Sequence, residues 1–139
     1  MKKTTDTDVG LISEEDKLIR FSFSARRCVM MIGKGVVRAL DNPAYICFRV
    51  NKEWNSLIVF PCNSKIVMSF KVPRELLTGH NRQFRISSKS FINELATKNG
   101  LDIDTNYMVP GTLIKEKNLV LFNIADAYAH SYLTRPPVY

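Results

Sequence analysis

Apolar positions along the chain fall into short runs separated by polar turns, and the runs come in two matching sets. The first set contains Met31-Ile32-Gly33-Lys34-Gly35-Val36-Val37-Arg38-Ala39-Leu40, and the second contains Ile86-Ser87-Ser88-Lys89-Ser90-Phe91-Ile92-Asn93-Glu94-Leu95. Each has a small residue, Lys, a second small residue, two apolar residues, two others and then Leu. After a gap the match resumes. Tyr45 precedes a strand-like run through Ile46, Phe48 and Val50, and Tyr107 precedes Met108, Val109, Leu113 and Ile114. The polar turns Lys52-Glu53-Trp54-Asn55 and Lys115-Glu116-Lys117-Asn118 then lead into Leu57-Ile58-Val59-Phe60 and Leu119-Val120-Leu121-Phe122. Three matches in the same order point to an internal repeat, each copy running strand, helix, strand, strand.

Local signals refine this order. Phe21-Ser22-Phe23-Ser24 alternates with a period of two, so its aromatics share one face of a strand. Phe91, Ile92, Leu95 and Ala96 form a helical stripe. Ser90 is the expected N-cap, and Lys98 and Gly100 suit the end of that helix. The first-copy helix is shorter, roughly Gly35 to Asp41, and Asn42-Pro43 ends it because a residue before proline avoids helical backbone. A linker strand is expected over Ile66–Val72, ended by Pro73, followed by an exposed loop over Thr78–Arg82. Pro110-Gly111 predicts an edge or a bulge, since proline removes a ladder donor.

A βαββ unit of about forty residues cannot bury both of its faces alone. The expected fold is therefore mainly β with short helices (α+β), in which two tandem βαββ units exchange hairpins and close a pseudo-dimeric barrel. The expected divisions are a flexible arm over 1–17, a first half over 18–64, a linker strand and second half over 65–126, and an extended tail over 127–139.

Charge adds a direction to this picture. The net charge is +7, and residues 18–98 carry fourteen Lys and Arg against four acids, while both flanks are mildly acidic. A basic middle attracts nucleic acid, or an acidic protein that mimics it; a merely solubilising surface is the bland alternative. No apolar run reaches the roughly 20 residues that span a bilayer, and the polar N-terminus lacks a signal-peptide core. Cys28, Cys47 and Cys62 are widely spaced among apolar neighbours, which favours buried reduced thiols over a metal knuckle. A cytoplasmic location is the expectation.

From Met31 to Phe60, and again from Gln83 to Phe122, the chain resembles the AbrB/MraZ-type swapped-hairpin transcription factors. Their unit is a strand, a short helix with a Lys-containing start and a Leu-ending stripe, and a β-hairpin, and MraZ-like proteins carry two copies in one chain. Gly33 and Ser88 stand where the family commonly has proline before the helical Lys. The resemblance implies DNA binding by a positive surface on the strands and their loops, and a role in transcription regulation or as an antitoxin. It supplies no catalytic residue, cofactor or metal.

Phosphate contacts call for cations on one face. The candidates are Arg20, Arg26, Arg27, Lys34 and Arg38 in the first copy, Arg82, Arg85 and Lys89 in the second, and Lys71 and Arg74 between them. Lys34 and Lys89 occupy equivalent places beside helix starts, where backbone N–H groups point outward. Trp54, at a hairpin tip, is a candidate anchor for a protein partner or a base, although a fold back onto the sheet is preferred. His80 and His130 lack a second ligand at metal spacing, and Asp102 with Asp104 fits a turn better than a carboxylate pair. The chain carries no Walker A, G-x-G-x-x-G, H-E-x-x-H or G-x-S-x-G motif, so binding rather than catalysis is expected. A DNA-binding regulator, possessing the capacity to dimerise on two half-sites, leads. The alternatives are a phage or mobile-element inhibitor of anti-defence or anti-CRISPR type, and an antitoxin paired with a toxin.

Overall fold

The computed structural model describes residues 18–63, 69–79 and 81–130. The expected N-terminal arm, the start of the linker strand, His80 and most of the C-terminal tail lie outside these residues. The described chain is mainly β with few short helices. The strands are β1 (Arg20–Ser24), β2 (Val29–Gly33), β3 (Tyr45–Val50), β4 (Ser56–Cys62), β5 (Ser69–Lys71), β6 (Gln83–Ser87), β7 (Asn106–Ile114), β8 (Leu119–Asn123) and β9 (Tyr128–Ala129). The helices are α1 (Lys34–Ala39), α2 (Arg74–Thr78) and α3 (Lys89–Lys98). The order strand, helix, strand, strand appears twice, as β2-α1-β3-β4 and as β6-α3-β7-β8.

All the described strands belong to one antiparallel sheet in the order β5-β3-β4-β8-β7-β1-β2-β6, with β9 added beside β7. The sheet is barrel-like and nearly closed. The two sets of elements interleave: β2 pairs with β6, and β4 pairs with β8. Neither set therefore has a sheet of its own. Tyr128-Ala129, expected in an extended tail, instead pairs with Tyr107-Met108 and belongs to the sheet.

Alternation puts Phe21 and Phe23 of β1, Met30 and Ile32 of β2, and Phe84 and Ile86 of β6 on the inner face, all buried. Across the interior lie Ile46 and Phe48 of β3, Leu57 and Val59 of β4, and Val120 and Phe122 of β8. Val36 and Val37 of α1 and Phe91, Ile92, Leu95 and Ala96 of α3 complete this core. The α3 stripe is thus the one the periodicity predicts. Its N-cap is Ser88 rather than Ser90, and the Ser88 hydroxyl makes no capping bond. The Ser88 N–H donates instead to the Cys28 carbonyl at 3.1 Å, so tertiary contact sets the helix start.

Residues 74–78 form the short helix α2, which buries Leu76 completely; of the expected exposed loop only Thr78 belongs to it, and Gly79, Asn81 and Arg82 are exposed outside any helix or strand. β7 runs through Pro110-Gly111 in the middle of the sheet with no bulge, and the expected edge is a local one, on one side of Pro110. Up to Pro110, β7 pairs with β1; from Gly111 onward it pairs with β8. The Gly111 N–H donates to the Ile19 carbonyl at 2.8 Å, toward β1. By strand alternation, the donor that Pro110 lacks would face the other side. There β9 has already ended and β8 has not yet begun, so no ladder bond is lost.

Gly111 also has a packing role. A Cβ built there would stand 2.8 Å from Cδ1 of Phe122, whose ring is fully buried and meets Phe21 edge-on at 4.8 Å. Gly111→Ala should therefore destabilise the fold by about 1–3 kcal/mol through overpacking. Leu95→Ala should cost about 2–5 kcal/mol through the cavity it leaves. Urea unfolding with an unchanged m-value checks both; a loss near zero for Leu95→Ala would remove α3 from the core.

Candidate nucleic-acid interface

β6 ends the strand order, and its outward residues alternate with its buried ones. Arg85 and Ser87 are exposed between Phe84 and Ile86, which point inward. Register places Arg85 opposite Met31, Gln83 opposite Gly33, and Ser87 opposite Val29. Below the strand lies Arg82, whose carbonyl accepts the Lys34 N–H at 2.7 Å. Above it, Lys89 opens α3. The Ser88–Cys28 bond brings that helix start beside the β1–β2 turn, where Arg27 is exposed. Arg82, Arg85 and Lys89 therefore mark out a strip about 20 Å long at 3.3 Å per extended residue, with Arg27 at its upper end. Among the described residues, Arg27, Arg85 and Lys89 have no ion-pair partner.

At the lower end of the strip, Arg20 and Arg82 line a cleft of about 230 Å³ with Ser22, Met31, Gln83 and Met108. Gly33 matters here, since a Cβ on it would meet the Arg20 carbonyl at 3.0 Å. His130 is half-buried. Burial, and then the charge of Arg20, lower its pKa below the usual imidazole value.

Three other expected cations are covered or paired. Lys34 is only 6% exposed, so the matched pair splits: Lys89 faces solvent and Lys34 does not. The reason is that α1 is tucked against the sheet by its first residues, with Lys34, Gly35, Val36 and Val37 all buried. Arg38, one turn on, is half-buried, and its Nε is buried without a hydrogen bond. Arg26 is exposed but forms a salt bridge with Asp104, its Nε donating at 3.1 Å to Oδ1. Lys71 and Arg74 are exposed on β5 and α2, the two elements that precede β6 in the chain.

Trp54 folds back. Its backbone is left-handed (φ 63°), and its ring packs on Phe91 with centroids 5.4 Å apart. Its carbonyl accepts Nδ2 of Asn99 at 2.8 Å, which ties the β3–β4 turn to the end of α3. Phe48, Trp54 and Phe91 form the floor of a shallow groove of about 500 Å³, with Arg49, Ser90 and Glu94 at its rim. Arg49 escaped the candidate set. It is exposed, and its guanidinium lies over the Phe60 ring at 5.5 Å, a cation–π contact. Its signal was present, because inward Phe48 and Val50 on either side of it force residue 49 outward.

Among the described residues, no group of three or more His, Cys, Asp or Glu side chains is placed to hold a metal ion. No helix among them is long and apolar enough to cross a membrane. No family model matches the chain, and no curated protein or solved structure matches it.

Asp102 and Asp104 shape a turn. The Asp104 N–H donates to Asp102 Oδ1 at 3.1 Å, and the Thr105 hydroxyl donates to Oδ2 at 2.9 Å. These bonds, the backbone one first, hold the Asp102 carboxyl below its usual range. A folded pKa below the unfolded one means that the carboxylate stabilises the fold above the unfolded value. That stabilisation is lost as pH falls through the folded one. Asp102→Asn should lower the melting temperature at neutral pH, and the gap from wild type should close on acidification below about pH 4. Melting curves across pH check this; a gap independent of pH would assign the loss to geometry alone.

Proposed function

We propose that this chain is a DNA-binding regulator that grips phosphates with the strip along β6, and that its two sets of elements are copies of one swapped-hairpin unit. The observation that supports this most is the run of exposed cations Arg27, Arg85 and Lys89, beside Arg20 and Arg82, on one edge of a rigid sheet. Each phosphate neutralised by Lys or Arg releases counterions, so affinity falls steeply with salt. The strip positions the duplex, and an Arg in the groove reads base edges. Arg85, in mid-strand, is the residue best placed for that role. The interleaved pairings β2–β6 and β4–β8 support the unit reading, since exchange between two such units gives these contacts.

A second reading rests on the Phe48–Trp54–Phe91 groove. Aromatic floors with a charged rim suit a protein partner, in keeping with an inhibitor of a nucleic-acid-handling complex or with an antitoxin.

Fluorescence anisotropy separates the two readings. The duplex upstream of the chain's own gene should bind more tightly than a scrambled duplex, with a steep salt dependence. Arg85→Ala together with Lys89→Ala should weaken binding and reduce the salt slope by about 2, near one per phosphate contact. Arg26→Ala should change the slope less, because Asp104 already neutralises that charge. Equal, weak binding to both duplexes, unmoved by the double substitution, would overturn the regulator reading and favour the groove.

A further inference from the structure

The register of β3 against β4 brings together two cysteines that are fifteen positions apart. Tyr45 lies opposite Cys62, and Cys47 lies opposite Phe60. Cys47 and Cys62 are therefore diagonal neighbours on the outer face, a spacing at which side chains across antiparallel strands meet. Both are free thiols, and their sulfurs are 2.7 Å apart, in hydrogen-bond contact. They differ in access: Cys47 is buried, while Cys62 is partly exposed at the end of β4. Cys28 lies in the β1–β2 turn, where its thiol donates to the Ala25 carbonyl at 3.5 Å.

We propose that Cys47 and Cys62 form a reversible dithiol–disulfide pair, a modification site oxidised through Cys62 by a peroxide. The Cys62 thiolate attacks one peroxide oxygen and breaks the O–O bond. This gives a sulfenic acid and a hydroxide that takes up a proton to leave as water. The Cys47 sulfur then attacks the Cys62 sulfur, forming the S–S bond and breaking the S–O bond. The departing hydroxide takes the Cys47 proton as a second water. Overall, two thiols lose two hydrogens and two electrons, and one peroxide becomes two waters. A dithiol reductant reverses the change by two thiol–disulfide exchanges. Cys62 is the entry point because the oxidant reaches it first, and Cys47 resolves the intermediate because it already touches it.

The surroundings set the rate. Partial burial, then the hydrogen bond and charge of Cys47, push the Cys62 thiol up to about 11. The titratable or charged groups on the same outer face are Tyr45 and Arg49 of β3 and Lys71 of β5, opposite Tyr45. Because the thiolate is the nucleophile, oxidation quickens as pH rises toward the titration of the thiol.

The test treats the full chain with hydrogen peroxide at several pH values, alkylates the remaining thiols under denaturing conditions, and maps peptides by mass spectrometry. A cross-linked Cys47–Cys62 peptide should appear, lighter by two hydrogens than the reduced pair, with Cys28 alkylated. It should form faster at higher pH and disappear on treatment with dithiothreitol. Cys47→Ser should halt at oxidised, uncrosslinked Cys62. Should that variant fail to fold, Cys62→Ser alters a partly exposed position instead and should leave Cys47 alkylated. Recovery of both cysteines as alkylated thiols, or a cross-link from either one to Cys28 within the monomer, would overturn the proposal.

Discussion

The two wings of the sheet are joined through β7, and the Phe122 ring fills the space that Gly111 leaves bare where they meet. One wing is β5-β3-β4-β8, the other is β1-β2-β6, and β7 lies between them. Its first half pairs with one wing and its second half with the other. Phe122 comes from the first wing and reaches Phe21 of the second at the point where β7 changes partner. Without β7, the wings would be small open sheets, each too small to bury its own apolar face. Pro110 and Gly111 suit the junction because one needs no donor there and the other leaves room for a ring.

This junction also explains what could be read from the sequence. Period-two alternation in Phe21–Ser24 and the helical stripe from Phe91 to Ala96 reported local structure, because burial on one face was all they required. The order strand, helix, strand, strand was legible for the same reason. Pairing was not, since nothing local in Val29–Gly33 names Gln83–Ser87 as its partner. Pro110-Gly111 was legible as an irregularity, but its meaning depended on two strands distant in sequence. The short helix α2 was hidden because five residues carry too little intrinsic helical preference; the burial of Leu76 holds it.

The site follows the same division. The count and clustering of cations were visible, but their availability was not. Lys34 and Lys89 match in sequence, yet α1 is buried through its first four residues while α3 presents its first two to solvent. Arg26 and Arg27 are neighbours, yet only Arg26 meets Asp104, a partner 78 positions away. Charge patterns describe potential along a chain, whereas a binding face also depends on which charges tertiary contacts have already neutralised or covered.

The upper end of the basic strip is tied down through α3. The helix is fastened at its start by the Ser88 N–H on the Cys28 carbonyl. At its end, Asn99 donates both to the Trp54 carbonyl and to the Leu95 carbonyl, each at 2.8 Å. Between these ties, four apolar side chains are buried. The same helix therefore fixes the turn that carries Arg27, the start that carries Lys89, and the floor of the aromatic groove. A ligand meeting this face finds its cations already placed, and little backbone order remains to be imposed on binding. Under the proposed reading, selectivity would come from the shape of the strip and its few projecting side chains.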